Sequence, residues 1–82
     1  MATIRIYFAP TCRDCRAAKR FLEERGIAYQ GVNIEEDPDA AELITRKNDD
    51  KRKVPTFELD GRWFSASPFD PESLAEQLGL AG

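Results

Sequence analysis

Between Thr3 and Arg25 the hydrophobic period of the chain changes, and that change restricts the available folds more than any other feature. Residues 3–8 (TIRIYF) place Ile4, Ile6 and Phe8 at alternate positions among β-branched and aromatic neighbours, the pattern of a half-buried strand. From Arg13 to Arg25 the apolar residues Ala17, Ala18, Phe21 and Leu22 recur at helical spacing, and Gly26 is placed to end the helix. Residues 27–34 (IAYQGVNI) return to a strand pattern through Ile27, Tyr29, Val32 and Ile34, with a disturbance expected at Gly31. A strand, a helix and a second strand in so short a span imply a right-handed crossover. The two strands should therefore run parallel, with the helix covering one face.

The remaining elements follow from punctuation. Asp37-Pro38 opens a second helix with Ala40, Ala41, Leu43 and Ile44 as its inner face. In VPTFELDGRWFS two short strands flank Asp60-Gly61, a dipeptide that favours a two-residue type I′ turn. Asp70-Pro71-Glu72 starts a last helix whose Leu74, Leu78 and Leu80 are expected to pack inward, with Gly79 near its end. The predicted order is βαβαββα, an α/β fold. At 82 residues, with no internal repeat, linker or low-complexity tract, residues 1–82 read as a single domain around one economical core. Phe8, Phe21, Phe57 and Leu74 are expected in that core. Tyr7, Trp63 and Phe64 suit either sheet packing or the wall of a groove.

The chain has two cysteines, and they stand two residues apart in Cys12-Arg13-Asp14-Cys15, where the strand pattern gives way to the helical one. The spacing admits a redox couple, half of a metal site, or two inert neighbours. No charged stretch precedes an apolar run of signal-peptide length, and nothing approaches the roughly 18 apolar residues of a membrane span, so a cytosolic chain is expected. Reducing thiol pools make a permanent structural disulfide improbable there. A structural zinc site wants four protein ligands, and the sequence adds no histidine to the two cysteines. Cys12 falls at the end of the first strand and Cys15 in the first helical turn, where unpaired backbone N–H groups and the positive end of the helix dipole converge. That field favours thiolate over thiol, which points to redox chemistry.

The formal charge of −3 conceals an uneven distribution. Residues 35–42 (EEDPDAAE) carry five acidic groups and no basic one, whereas residues 46–53 (RKNDDKRK) carry five basic and two acidic. Residues 13–25 carry five basic and three acidic groups. Such runs are usually solvated surface, and the sharper alternative is a basic rim that attracts anionic thiols or acidic partner proteins. Nucleic acid is not an expected partner, because the chain is acidic overall and lacks interleaved aromatic and basic residues.

From end to end the chain resembles the glutaredoxin family, of thioredoxin-like fold, with a four-stranded mixed sheet flanked by three helices. The residues that carry the resemblance are CRDC after the first strand, IAYQGVNIEEDPDA through the second strand and helix entry, and KVPTFELDG in the third strand and hairpin. The resemblance implies a thiol-disulfide oxidoreductase in which Cys12 attacks and Cys15 resolves, with no metal or organic cofactor. It also implies a cis peptide bond before Pro55, which would face the cysteines and leave the backbone of Val54 to pair with a substrate chain. Arg13 and Thr11 flank Cys12; Thr11 either tunes it through its hydroxyl or simply begins the helix, and the second is the expectation. Glutathione-using members carry a basic residue before the first cysteine, a threonine ahead of Val-Pro, and an acidic residue after a Gly-Gly pair. Ala9, Lys53 and SASPFD occupy those places here, with Asp70 as the stand-in for the acidic residue. The tail FSASPFDPESLAEQLGLAG resembles instead the mycoredoxins and the redoxins that supply ribonucleotide reductase. The implied substrates are protein disulfides, ribonucleotide reductase among them, or mixed disulfides with a small thiol. The implied donors are thioredoxin reductase, mycothiol or glutathione, acting on a cytoplasmic monomer without membrane or nucleic-acid partners. The alternative is an iron–sulfur or metal-binding module using Cys12, a role whose family members usually lack the second cysteine.

Overall fold

The computed structural model describes residues 3–51 and 53–80. Its elements are β1 (Ile4–Phe8), α1 (Arg13–Glu24), β2 (Gln30–Asn33), α2 (Pro38–Lys47), β3 (Thr56–Leu59), β4 (Arg62–Ser65) and α3 (Pro71–Gln77), in the predicted order. The four strands form one mixed sheet in the order β2-β1-β3-β4. β1 pairs parallel with β2 and antiparallel with β3, and β3 pairs antiparallel with β4. No helix among the described residues is long and apolar enough to cross a membrane.

The alternation read in β1 divides its side chains between two apolar clusters. Ile4 and Ile6 join Ala18, Phe21, Leu22, Phe57, Leu59 and Leu74, so α1 and α3 supply residues to one cluster. Tyr7 joins Ile34, Ala40 and Ile44, with Trp63 packed against them, so α2 closes over the other. Tyr7 and Trp63 are thus packing residues, with ring centroids 5.6 Å apart, and Phe64 stacks on Phe57 at 5.2 Å.

Local chemistry sets the ends of the elements. Gly26 lies at φ +66° after α1; its N–H donates to the Glu23 carbonyl while that of Ile27 donates to Leu22, a Schellman closure. That closure directs Ile27 into the turn, which is why β2 begins at Gln30 and not at Ile27 as the sequence pattern suggests. Gly31 does not disturb β2: it pairs in register with Ile6, and a Cβ there would stand 3.1 Å from the Phe8 ring. Asp60 (φ +51°) and Gly61 (φ +81°) make the predicted two-residue turn with both residues left-handed.

Two core expectations are corrected. Phe8 is half-buried and belongs to neither cluster: it is the last residue of β1, and the Lys19 ammonium, not an apolar side chain, lies over its ring. Leu80 is 43% exposed, because α3 ends at Gln77 and the chain turns away before another helical turn can present it inward. Leu78 does pack against the core, and Leu74 is buried in it.

Candidate active site

The topology brings two loops together at one end of the sheet. β1 runs towards the cysteine segment, and its antiparallel partner β3 starts at that same end, Tyr7 facing Thr56. The residues just after Phe8 and just before Thr56 are therefore neighbours. Cys12 Sγ accordingly lies 3.6 Å from the Val54 carbonyl oxygen, to which the thiol donates. The Val54–Pro55 peptide bond is cis, as the resemblance implies, and so is Ser67–Pro68.

Cys12 is the N-cap of α1, with extended backbone (φ −80°, ψ 116°), and its sulfur accepts the backbone N–H of Cys15 at 3.1 Å. A sulfur in the capping role takes up one of the orphan donors of the first turn and so receives the helix field directly. This corrects the expectation for Thr11, which is exposed and precedes the cap; the cysteine displaces the hydroxyl because it stands one residue later, where the helix begins. Arg13 is the exposed first residue of α1.

Cys15 lies behind Cys12 and is 1% exposed. Burial pushes its thiol up to about 12; hydrogen bonding with the Cys12 side chain adds to this, while an Ala9 backbone hydrogen bond and the Lys19 charge oppose it. The two cysteines thus differ in kind: one is partly exposed and meets a backbone donor, the other is enclosed and holds its proton. Both are free thiols.

The Val54–Pro55 wall is held by groups that the sequence reading missed. Asn48, the C-cap of α2, donates from Nδ2 to the Ile44 carbonyl at 2.6 Å and to Thr56 Oγ1 at 3.1 Å. Thr56 is fully buried, and its hydroxyl donates to the Lys53 carbonyl at 2.6 Å. The Pro55 carbonyl accepts the Ala66 N–H at 3.0 Å, which ties the wall to the end of β4. Asp14 was likewise overlooked as a positioning group: its carboxylate accepts the Phe69 N–H and the Ser67 hydroxyl, both at 3.3 Å, and so joins the cysteine turn to the β4–α3 loop. Asp70, proposed from sequence as a binding carboxylate, caps α3 by accepting from the Glu72 and Ser73 N–H groups.

The basic run before Val54 does not act as one loop. Arg46 and Lys47 belong to the last turn of α2, where Arg46 pairs with Glu42 and Lys47 lies over Trp63 at 5.3 Å. Lys51 and Lys53 are exposed on the approach to Val54, and Arg52 lies outside the described residues. A groove of about 310 Å³ lined by Ala17, Phe21, Arg25, Phe69 and others lies farther along α1 and includes neither cysteine.

Comparison with known proteins agrees with this geometry. The family model described as Glutaredoxin matches residues 4–64. The glutaredoxin-like protein NrdH of Lactococcus lactis is 30% identical over 73 residues, 89% of this chain and 96% of that protein. Mycoredoxin 1 of Corynebacterium glutamicum is 28% identical over 81 residues, 99% of this chain and 100% of that protein. Among solved structures, the glutaredoxin-like NrdH-redoxin of Escherichia coli, described by its thioredoxin-like activity profile, aligns with a TM-score of 0.74 at 28% identity. That alignment covers 90% of this chain and 92% of the other.

Proposed function

The chain belongs to the glutaredoxin family and is a thiol-disulfide oxidoreductase, and from that premise we propose that Cys12 and Cys15 are its redox couple, with Cys12 attacking and Cys15 resolving. The observation that carries this reading is the asymmetry of the pair. The Cys12 sulfur caps α1 and accepts the Cys15 N–H at 3.1 Å, while the Cys15 thiol is 1% exposed. A nucleophile has to be reached, and a resolving thiol has to wait within reach of the first sulfur.

The reaction runs in two exchanges. The Cys12 thiolate attacks one sulfur of the substrate disulfide, and the other substrate sulfur leaves as thiolate and takes up a proton. Cys15 then loses its proton and attacks the Cys12 sulfur; the Cys12–Cys15 disulfide forms and the second substrate sulfur leaves as thiol. The substrate gains two electrons from the cysteine pair and two protons, one from Cys15 and one from solvent, to which Cys12 had released its own on ionising. A donor dithiol or small thiol restores the reduced state. The Val54 backbone, beside the Cys12 sulfur, is the edge along which an extended substrate segment would pair, with Pro55 as the wall and Thr11 and Arg13 at the rim.

Protein disulfides are the proposed substrates, ribonucleotide reductase among them, and the proposed setting is a cytosolic monomer. The thioredoxin-like activity profile of the E. coli relative and the likeness to mycoredoxin 1 favour thioredoxin reductase or mycothiol over glutathione as donor. Ala9, Lys53 and Ser67-Pro68 stand where the glutathione-binding groups of the family would be. A cluster-binding role for Cys12 is not favoured, since a resolving cysteine stands directly behind it.

The test is a pair of variants assayed against a panel of donors. C12S should abolish exchange with every substrate. C15S should accumulate a mixed disulfide with protein substrates, visible on non-reducing gels. Equal loss in both variants without trapping would overturn the division of labour, and efficient turnover with glutathione would overturn the choice of donor.

A further inference from the structure

A resolving thiol as firmly protonated as Cys15 has to ionise in the second exchange, and the cost of that ionisation depends on the charges around it. Lys19 lies one helical turn after Cys15, at the i+4 spacing that places two side chains on one face of α1. Long helical side chains lean back towards the N-terminus, so the Lys19 stem runs towards the Cys15 turn. Its ammonium sits 3.0 Å above the centroid of the Phe8 ring at the end of β1. The next residue, Ala9, accepts the Cys12 N–H at 3.1 Å through its carbonyl. Lys19 thus holds its charge at the β1 end, on the face of α1 that it shares with the buried Cys15.

Lys19 makes no ion pair among the described residues: neither Arg5–Glu58 nor Arg46–Glu42 involves it. Glu23, one turn farther on, accepts the Tyr29 hydroxyl at 2.7 Å. Partial burial lowers the affinity of Lys19 for its proton, while the charges of Cys15 and Glu23 raise it. The reciprocal effect on Cys15 is that of the nearby side-chain cation acting against the burial that keeps the thiol neutral.

We propose that Lys19 is the positioning charge of the resolving step: its ammonium, held over the Phe8 ring one helical turn from Cys15 on the same face of α1, stabilises the Cys15 thiolate as it forms. This rests on the assignment of Cys15 as resolving thiol. No proton passes through Lys19. The Cys15 proton goes to the departing substrate thiolate or to solvent, the Cys15 thiolate attacks Cys12, and the ammonium offsets the negative charge that burial otherwise penalises. When a donor thiol attacks Cys12 of the oxidised protein, Cys15 is the leaving thiolate, and the same charge assists its departure. Lys19 therefore speeds Cys15 chemistry in both directions and bears little on the first attack by Cys12.

The two exchanges separate with the reduced protein and excess 5,5′-dithiobis(2-nitrobenzoate) in a stopped-flow instrument. The first thionitrobenzoate is released in a phase that depends on reagent concentration, and the second in a first-order phase that does not. K19M should slow the second phase about tenfold, the scale of one nearby unscreened charge, and change the first by less than about threefold. K19R, which keeps the charge, should recover most of the second-phase rate. The proposal is overturned if K19M resolves within twofold of the parent, or if K19R is as slow as K19M, which would make the effect one of packing on Phe8. A parent protein with no second release would instead overturn the Cys15 assignment, and a first phase of normal amplitude shows that each variant is folded.

Discussion

The two cysteines show how far one side chain's setting can be read from its neighbours in sequence. Spacing placed both at a helix entry, but which of them is enclosed depends on the sheet beneath. Cys15 turns inward beside Ala18, and its thiol, pushed up to about 12, differs most from the unfolded chain in alkaline solution. The folded state holds a proton there that the unfolded state has already released above about pH 9. Stability therefore falls as pH rises through that window, and the contribution is complete below it. Between pH 8 and pH 10 the reduced protein should lose about 1 to 2 kcal/mol more than C15A, measured by urea unfolding under reductant. Parallel losses in the two proteins would show that Cys15 ionises as readily folded as unfolded.

At the scale of elements, the site depends on how helix ends are tied to loops. α1 begins with a sulfur cap and is joined to the β4–α3 loop by Asp14, whose carboxylate accepts the Phe69 N–H and the Ser67 hydroxyl. D14A leaves that N–H without its acceptor and should cost about 1 kcal/mol in urea unfolding. D14N retains an amide oxygen for Phe69 and should lose less than half of that. A change in D14A inside the roughly 0.5 kcal/mol typical of surface substitutions would reduce these contacts to incidental ones. On the opposite wall, Asn48 and Thr56 hold the Lys53–Pro55 segment through three hydrogen bonds, so the C-cap of α2 and the first residue of β3 help set the place of Val54.

For the molecule as a whole, the order β2-β1-β3-β4 brings the exposed Lys51 and Lys53 to the approach of Val54, and Val54 to Cys12. Charges so placed act on encounter more than on chemistry, and their reach shrinks as salt shortens the screening length from about 10 Å at 0.1 M. Reversing both with K51E and K53E should slow reduction of the oxidised protein by its preferred donor severalfold at low salt. The difference should fade as salt is added, while alkylation of Cys12 by uncharged iodoacetamide changes little. A donor rate indifferent to both substitutions at low salt would make the two lysines ordinary solvated surface.

The sequence by itself determined the order of elements, the hairpin turn, the place of the cysteines at a helix entry and the family. Each of these rests on local signals: the change of hydrophobic period at residues 3–25, Asp60-Gly61, Asp37-Pro38, and motifs quoted within a few residues of one another. Only the tertiary structure decided what depends on which segments meet. Phe8, at the end of β1, meets the Lys19 ammonium instead of the core; Leu80 stays outside because α3 stops short; β2 starts late because the α1 closure takes Ile27. Asp14 reaches a loop more than fifty residues away, and Asn48 reaches Thr56, contacts that no local pattern announces. The physical reason is that periodicity and turn chemistry act over a few residues, whereas the meeting of Cys12 with Val54 follows from an antiparallel pairing of β1 with β3 that only the assembled sheet fixes.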